Sequence, residues 1–167
     1  TLLNQRQKFL NNYEKLTPAS KQHLDRIYYW FNEETIEELD RIYFAIKKIK
    51  NYNVRRFFLC AFSHNLKNCS RWLMKSIKPT IDKQKIAAEP LDSFLQHLDS
   101  MIKKNEKFYT ELAAKEYLNV PAKMYRRDST KKFPVESNSI DLIITSPPYV
   151  TSYEYADLHQ LTLLWFG

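Results

Sequence analysis

Glycine is nearly absent from this chain of 167 residues, in which Gly167 is the only one. An average composition, at about 7% glycine, would supply roughly eleven or twelve. Glycine-rich turns that bring a backbone close to phosphate groups are therefore missing, which excludes a P-loop and the GxGxxG turn of dinucleotide-binding folds. The chain carries no such loop of its own for a phosphorylated ligand.

Cysteine is scarce as well, because Cys60 and Cys69 are the only two. Two cysteines do not form a disulfide framework. Together with His64 they also fail the zinc pattern, which takes four ligands and closely spaced cysteine pairs, so we predict no metal site. The sequence has neither a secretory leader nor an apolar run of about 18 residues that could span a membrane. We therefore expect a reduced, cytoplasmic protein.

Positive charge is in excess, with 26 Lys and Arg against 19 Asp and Glu and a net charge of +7. Such a balance favours a polyanionic partner, since basic side chains release counterions when they neutralise phosphates. A coding bias that enriches Lys, Asn and Ile is the alternative explanation. The candidates for DNA contact share one basic segment, residues 70–85: Arg71, Lys75, Lys78, Lys83 and Lys85. We expect the lysines to meet phosphates and Arg71 and Trp72 to reach bases there, and a solvated loop is the alternative.

The first 118 residues have the apolar spacing of successive helices. Thr17 before a proline predicts one helix start, and Asn32 before two glutamates predicts another. A third helix is predicted over residues 54–74, an ordered loop over residues 75–85, and a last helix over residues 91–117. The apolar residues expected to point inward from that last helix are Phe94, Leu98, Met101, Ile102, Phe108 and Leu112. These patterns predict a helical bundle.

The pattern changes at residue 119, where a different fold class begins. Residues 122–127 are predicted to form one strand, and the β-branched run at residues 140–144 is predicted to form a second, buried one. A short link joins them, which favours two neighbouring parallel strands. We therefore predict a mostly α chain with a helical bundle over residues 1–118. Two short parallel strands of an α/β domain would follow in residues 119–167.

A rigid turn follows the second predicted strand, and it consists of Ser146, Pro147, Pro148 and Tyr149. Prolines fix φ and donate no N–H, so they end the strand in an extended turn. The carboxyl ends of strands are where open α/β sheets bind ligands. Carbonyl groups, a serine hydroxyl and a tyrosine ring could together hold a flat ligand that carries an amino group.

The motif, with Thr145 before it, resembles the catalytic motif of DNA amino-methyltransferases, which carry Asp, Asn or Ser before Pro-Pro and an aromatic residue. The resemblance extends over residues 139–159. With serine in its first position, the motif resembles the variant that is typical of cytosine-N4 methyltransferases. It implies a Rossmann-like domain, S-adenosylmethionine as methyl donor, and double-stranded DNA with a flipped cytosine as substrate. Ser146 and Pro147 would accept hydrogen bonds from the exocyclic amine, with Pro148 completing the turn, and Tyr149 would stack on the base.

Several alternatives remain open at this stage. An adenine-N6 DNA methyltransferase is the first alternative. An RNA or protein methyltransferase is another, since the related Asn/Asp-Pro-Pro-Tyr motif serves those substrates too. A non-catalytic helical DNA-binding module and a purely structural turn are the remaining two.

Other candidate residues flank the motif on both sides. Asp128 follows the first predicted strand, where methyltransferase folds often place an acid near the cofactor's adenine; a turn or a helix cap is the alternative. Tyr153, Tyr155 and His159 are candidates for the base pocket or the DNA backbone, as is Asp157. The alternative is an amphipathic helix that buries its apolar side chains: Leu158, Leu161, Leu164 and Trp165.

The sequence departs from the family pattern in one respect. Methyltransferases of this kind carry a Phe-x-Gly-x-Gly motif for the cofactor, and it is absent here. The chain also starts at Thr1 within a helical pattern and ends in apolar residues. We therefore expect a fragment of a longer enzyme, inactive alone, with the bundle as an inserted or target-recognition region. A cognate restriction endonuclease is a possible partner.

Overall fold

The computed structural model describes residues 1–16, 25–128, 130–146 and 155–166. These residues form seven α-helices, which are α1 Leu2–Glu14, α2 Asp25–Trp30, α3 Glu33–Lys47, α4 Tyr52–Cys69, α5 Pro90–Ala114, α6 Tyr155–Leu158 and α7 Gln160–Phe166. A 3-10 turn, Tyr117–Asn119, follows α5. The mostly helical character is thus confirmed for the described part. No described helix combines the length and apolarity needed to cross a membrane.

The helix starts follow from local capping chemistry. The Asn32 side chain accepts a hydrogen bond from the Thr35 N–H at 2.8 Å, and Asn51 accepts one from the Val54 N–H at 3.0 Å. The first N–H groups of a helix lack partners within it, so each cap stabilises its helix by about 1 kcal/mol. Pro90 occupies the first turn of α5, where no N–H is needed. The predicted starts near residues 32 and 90 are therefore confirmed.

One apolar core joins the helices. Its most deeply buried side chains are Phe9, Ile27, Trp30, Phe31, Leu39, Ile42, Ile46, Phe58, Phe62, Leu66, Phe94 and Trp165. The Phe9 ring lies 5.9 Å from that of Phe58 and 5.2 Å from that of Phe94, so α1, α4 and α5 meet there. Each such side chain stabilises the fold by about 1.5–3 kcal/mol relative to an exposed one.

Two polar contacts fix the orientation of helices around this core. Arg6 of α1 forms a two-pronged ion pair with Asp99 of α5, through Nε–Oδ1 at 2.6 Å and Nη2–Oδ2 at 3.0 Å. The buried Asn65 side chain donates to the Pro90 carbonyl at 3.1 Å, where α5 starts beside α4. Buried amides that lose such partners cost about 1–3 kcal/mol, so this bond fixes the register of α4 and α5.

The end of α4 differs from the sequence prediction, which placed it at residue 74. The helix ends at Cys69, because Ser70 turns the chain away. Its hydroxyl donates to the Lys67 carbonyl at 2.9 Å and accepts from the Trp72 N–H at 3.1 Å. Serine side chains compete with helical hydrogen bonds in this way, and apolar periodicity does not register it.

The end of α5 also differs from the prediction. The helix stops at Ala114, three residues before the predicted end. Glu116 adopts a left-handed φ of 58°, which is incompatible with a right-handed helix that continues through this residue. Phe108, predicted to point inward, is 59% exposed. Residues 103–111 are all exposed, because α5 continues past the helices that cover its first half. The predicted helix start at Thr17 lies outside the described residues.

Residues 120–146 contrast with the bundle, and we call them the arm. Its described residues are exposed and form no regular element. Within the described residues, the β pairing is limited to one isolated bridge between Trp72 and Ile81, so two parallel strands are not found. A strand needs neighbouring strands to form. The parallel strands and the Rossmann-like arrangement therefore remain predictions.

Candidate functional site

The proline motif begins at Ser146, the last residue of the exposed arm. Ser146 is exposed and is the last described residue before the gap. The other motif residues, Pro147, Pro148 and Tyr149, lie outside the described residues, as does Tyr153. The described residues closest to the motif are residues 130–146 before it and residues 155–166 after it.

The apolar run that leads into the motif is exposed. Ile143 and Ile144 are 79% and 88% exposed. The burial predicted for this run is therefore wrong for the described chain. Such side chains become buried only when other strands and helices cover both faces of their sheet. The run thus presents an apolar surface directly before Ser146.

The segment after the motif is attached firmly to the bundle. Trp165 of α7 is fully buried, and its indole lies edge-on to the rings of Phe31 at 5.5 Å and Phe62 at 5.6 Å. The Thr162 and Ser63 hydroxyls are 2.8 Å apart, which adds a hydrogen bond between α7 and α4. Because α7 begins at Gln160, the downstream flank of the motif is held against α4 and α2.

His159 lies between α6 and α7, where it is exposed to solvent. Its carbonyl accepts a hydrogen bond from the Leu163 N–H at 2.8 Å. Tyr155 begins α6, and its side chain lies outside the described part. Leu158, predicted to be buried by the amphipathic alternative, is 40% exposed, whereas Leu161 and Trp165 are buried as that alternative expects. The α7 helix thus buries part of its apolar face as the structural alternative expects, while His159 before it stays accessible to solvent.

The basic segment after α4 forms a hairpin-like loop, which we call the basic loop, residues 70–85. The Leu73 N–H donates to the Thr80 carbonyl at 2.8 Å, and the Asp82 N–H donates to the Arg71 carbonyl at the same distance. The Arg71 N–H also donates to Trp30 at 2.8 Å, which ties the loop to α2. The ordered loop predicted over residues 75–85 is confirmed.

Two lysines hold this loop in place. The Lys85 ammonium donates to the carbonyls of Lys67 at 2.6 Å and Trp72 at 3.0 Å, and the Lys67 ammonium donates to that of Ser76 at 2.9 Å. Burial lowers the pKa of Lys85 from its usual value, and the charge of Lys67 adds to that effect. Lys85, predicted as a DNA contact, thus acts as a bridge that satisfies carbonyls at the end of α4. Sequence reasoning missed Lys67, for which a lysine in the last helical turn was the available signal.

Trp72 is unavailable for base contact, which corrects the prediction made for it. Its side chain is 2% exposed and stacks on Trp30, with ring centroids 5.2 Å apart. Arg71, Lys75 and Lys78 are exposed, so base contact by Arg71 and phosphate contact by the two lysines stay predictions. The structure brings these three together on one loop, at the carboxyl end of α4.

Asp128 lies in the arm, where one of its carboxylate oxygens takes part in a local turn. Its Oδ1 atom accepts hydrogen bonds from the Thr130 N–H at 3.0 Å and from the Thr130 hydroxyl at 2.7 Å. The bond from the N–H, followed by that from the hydroxyl, lowers the pKa of the Asp128 carboxyl. This geometry matches the turn alternative, and the cofactor role of Asp128 remains a prediction.

The cysteines are separated by their surroundings. Cys60 is exposed and Cys69 is buried, and both are free thiols. Burial raises the pKa of the Cys69 thiol to about 12, so the reactive thiolate is suppressed at neutral pH. Among the described residues, no three His, Cys, Asp or Glu side chains are placed to hold a metal ion together.

The comparison with known proteins adds one finding. The chain is similar to a Type II methyltransferase. That protein is M.MvaI of Kocuria varians, with 28% identity over 158 residues, which covers 84% of this chain and 33% of the relative. The chain therefore spans about a third of the length of the relative it matches. No protein-family model matches the sequence, and no solved structure matches it either.

Proposed function

We propose that this chain is part of a DNA methyltransferase that methylates the exocyclic N4 amine of cytosine. The observation that carries the proposal is the similarity to a Type II methyltransferase over 84% of the chain. The Ser-Pro-Pro-Tyr sequence at residues 146–149 supplies the reaction centre, since it resembles the catalytic motif of amino-methyltransferases. An adenine-N6 enzyme is the alternative with the same motif chemistry.

The proposed chemistry relies on hydrogen-bond acceptors. An exocyclic amine is a poor nucleophile because its lone pair is delocalised into the base. The Ser146 hydroxyl oxygen and the Pro147 carbonyl would accept hydrogen bonds from that amine and stabilise the positive charge that develops on it. Tyr149 would stack on the flipped base and replace about 1–3 kcal/mol of lost stacking.

S-adenosylmethionine is the methyl donor in this proposal, but the described residues do not fit its binding site. The chain has one glycine, Gly167, and no Phe-x-Gly-x-Gly turn that lets a backbone approach the cofactor. One oxygen of the Asp128 carboxylate, Oδ1, accepts hydrogen bonds from the N–H and hydroxyl of Thr130, and a cofactor role for this residue stays a proposal. We propose that residues outside this chain hold the cofactor, consistent with a relative of which the match covers only 33%.

The helical bundle would contribute DNA recognition. Trp165 and Thr162 of α7 pack on the bundle, so the residues downstream of the motif are positioned by the same helices that carry the basic loop. In the proposed enzyme, residues 1–118 act as an inserted or target-recognition region beside the flipped base. A cytoplasmic location and a partner restriction endonuclease complete the proposal.

The test compares Ser146→Ala with Ser139→Ala in the full-length protein that contains this chain. Ser139 is a suitable control because it is also an exposed arm serine, and its hydroxyl donates to the Glu136 carbonyl at 2.7 Å. We expect Ser146→Ala to lower kcat by about 10²- to 10³-fold, as for the loss of one stabilising hydrogen bond in a transition state. Ser139→Ala should retain activity.

Mass spectrometry of nucleosides from the modified DNA identifies the product. N4-methylcytosine supports the proposal, whereas N6-methyladenine alone would replace cytosine with adenine as the target. If the full-length protein methylates no DNA at all, the chain is better explained as a helical DNA-binding module. The isolated 167-residue chain should be inactive, since it lacks a cofactor loop.

A further inference from the structure

A second basic surface lies at the amino end of α4, away from the basic loop at its carboxyl end. It is a groove of 610 Å³ between α1 and the turn that joins α3 to α4. We call it the α1 groove, and its lining residues are Gln5, Lys8, Asn11, Asn12, Lys15, Lys48, Ile49, Lys50 and Asn51. Apart from Ile49, all of these side chains are polar or positively charged.

One wall of the α1 groove is a polar stripe on α1. Lys8, Asn12 and Lys15 are spaced three or four residues apart, which places them on one face of the helix. Lys8 and Lys15 are exposed, whereas Phe9, on the side of α1 that packs into the core, is fully buried. The two-pronged pair between Arg6 and Asp99 fixes the rotation of the helix, and with it the position of the stripe.

The other wall is the turn from α3 to α4. Ile49 is 5% exposed and anchors this turn in the core, which leaves Lys48 and Lys50 on either side of it exposed. The Arg55 guanidinium donates to the Ile49 carbonyl at 3.2 Å, and the Asn51 side chain caps α4. The turn is therefore held by hydrogen bonds, and its two lysines project from a fixed backbone.

The charge of the α1 groove is uniformly positive. Among the described residues, its lining holds four lysines and no carboxylate, and none of these lysines forms an ion pair there. Next to the groove, Arg56 lies 5.5 Å from the ring of Tyr52, which is 59% exposed. The charge of this surface is therefore complementary to that of an anionic ligand.

We propose that the α1 groove binds the phosphodiester backbone of duplex DNA. Lysine ammonium groups supply the charge, and the Asn and Gln amides supply hydrogen-bond donors for phosphate oxygens, which position a protein without reading sequence. The single apolar lining residue, Ile49, disfavours a membrane or a hydrophobic peptide as the ligand. The choice of DNA over RNA rests on the proposed function, while the phosphate chemistry rests on the α1 groove itself.

The test is the salt dependence of duplex binding by the 167-residue chain, measured by fluorescence anisotropy. The groove variant is Lys8→Gln, Lys15→Gln, Lys48→Gln and Lys50→Gln in one chain. The control variant removes the same charge from the exposed half of α5 and its C-cap: Lys103→Gln, Lys104→Gln, Lys107→Gln and Lys115→Gln. Each lost phosphate contact reduces the slope of log affinity against log salt by about 1.

We expect the groove variant to lose about 3 to 4 from this slope, equally on two duplexes of unrelated sequence, and the control variant to lose less than 1. An equal loss in both variants would assign the effect to net charge and overturn the proposal. So would tighter binding to duplex RNA, an unchanged slope, or no binding of duplex DNA by the unmodified chain. Circular dichroism confirms that both variants fold. Methylation by the full-length protein is a separate readout, so the α1 groove can fail while the enzyme proposal stands.

Discussion

The bundle and the arm have comparable apolar side chains but opposite surroundings. Phe58 and Ile42 in the bundle are fully buried, whereas Met124 and Ile144 in the arm are 94% and 88% exposed. The difference is one of partners, since α-helices satisfy their own backbone groups and need only a packed face, while strands need neighbouring strands. The described bundle thus buries its apolar side chains within itself, whereas those of the arm are left exposed.

The arm is also bounded by the bundle at both ends. The chain leaves the bundle through α5, and it returns at α7, where Trp165 is buried. In the proposed enzyme, the base-binding motif lies between α5 and α7 in the sequence, and Phe31 and Phe62 fix the position of α7.

Trp165→Ala gives the largest expected effect, because it removes the anchor that returns the chain to the bundle. Truncating a fully buried tryptophan costs about 3–5 kcal/mol through lost burial and a residual cavity. We expect the free energy of unfolding, measured by urea denaturation, to fall by that amount. Leu163→Ala, at a position 53% exposed on the same helix, is the control and should change it by no more than about 0.5 kcal/mol. Equal effects from the two variants would show that α7 is not docked.

A smaller effect on the free energy of unfolding is expected from pH, through a pair of histidines in the bundle. His97 of α5 stacks on His64 of α4 with ring centroids 3.9 Å apart. Burial lowers the pKa of His97 from its usual value of 6.5, and the charges of His64 and Lys104 add to this. The unfolded chain then binds a proton more readily than the folded one. This contribution to stability is complete above about pH 6.5 and is lost as the pH falls through the lower, folded-state pKa.

His97→Gln should therefore flatten the decline in unfolding free energy between about pH 7.5 and 5. Gln96→Ala, at the exposed neighbouring position, serves as the control. Urea denaturation at stepped pH values provides the measurement. A decline as steep in His97→Gln as in the unmodified chain would contradict the prediction.

The smallest effect is expected in the arm. Ile143 is 79% exposed, so Ile143→Ser should change the unfolding free energy of the 167-residue chain by no more than about 0.5 kcal/mol. In the full-length protein the same change should cost more than 1 kcal/mol, since a sheet there would bury the side chain. Matched denaturation curves for both lengths test this. An equal, small effect in both would mean that no sheet covers the arm.

The helices were predictable where local chemistry sets their limits. Asn32 before two glutamates gave the start of α3, and Pro90 gave the start of α5, because caps act through neighbouring backbone groups. The end of α4 was missed because it depends on a hydrogen bond from Ser70 back to Lys67. Phe108 was misplaced because periodicity shows an apolar face but not how far the covering helices reach.

The candidate site was predictable only as a motif. The order of residues 146–149 indicates an amine-binding turn, yet its surroundings depend on which elements pack against it. Lys85 reads from the sequence as one lysine of a charged run, but its ammonium is held by carbonyls of Lys67 and Trp72. The α1 groove was not foreseen, because it forms only when Lys15 and Lys48, 33 positions apart in the sequence, come together.

The length of α4 determines how far apart a duplex would contact the basic loop and the α1 groove. Its 18 residues, Tyr52–Cys69, span about 27 Å at 1.5 Å per residue. B-DNA rises about 3.4 Å per base pair, so that distance corresponds to about 8 base pairs. One continuous, straight duplex touched at both ends of this helix would therefore be protected at two places less than one helical turn apart.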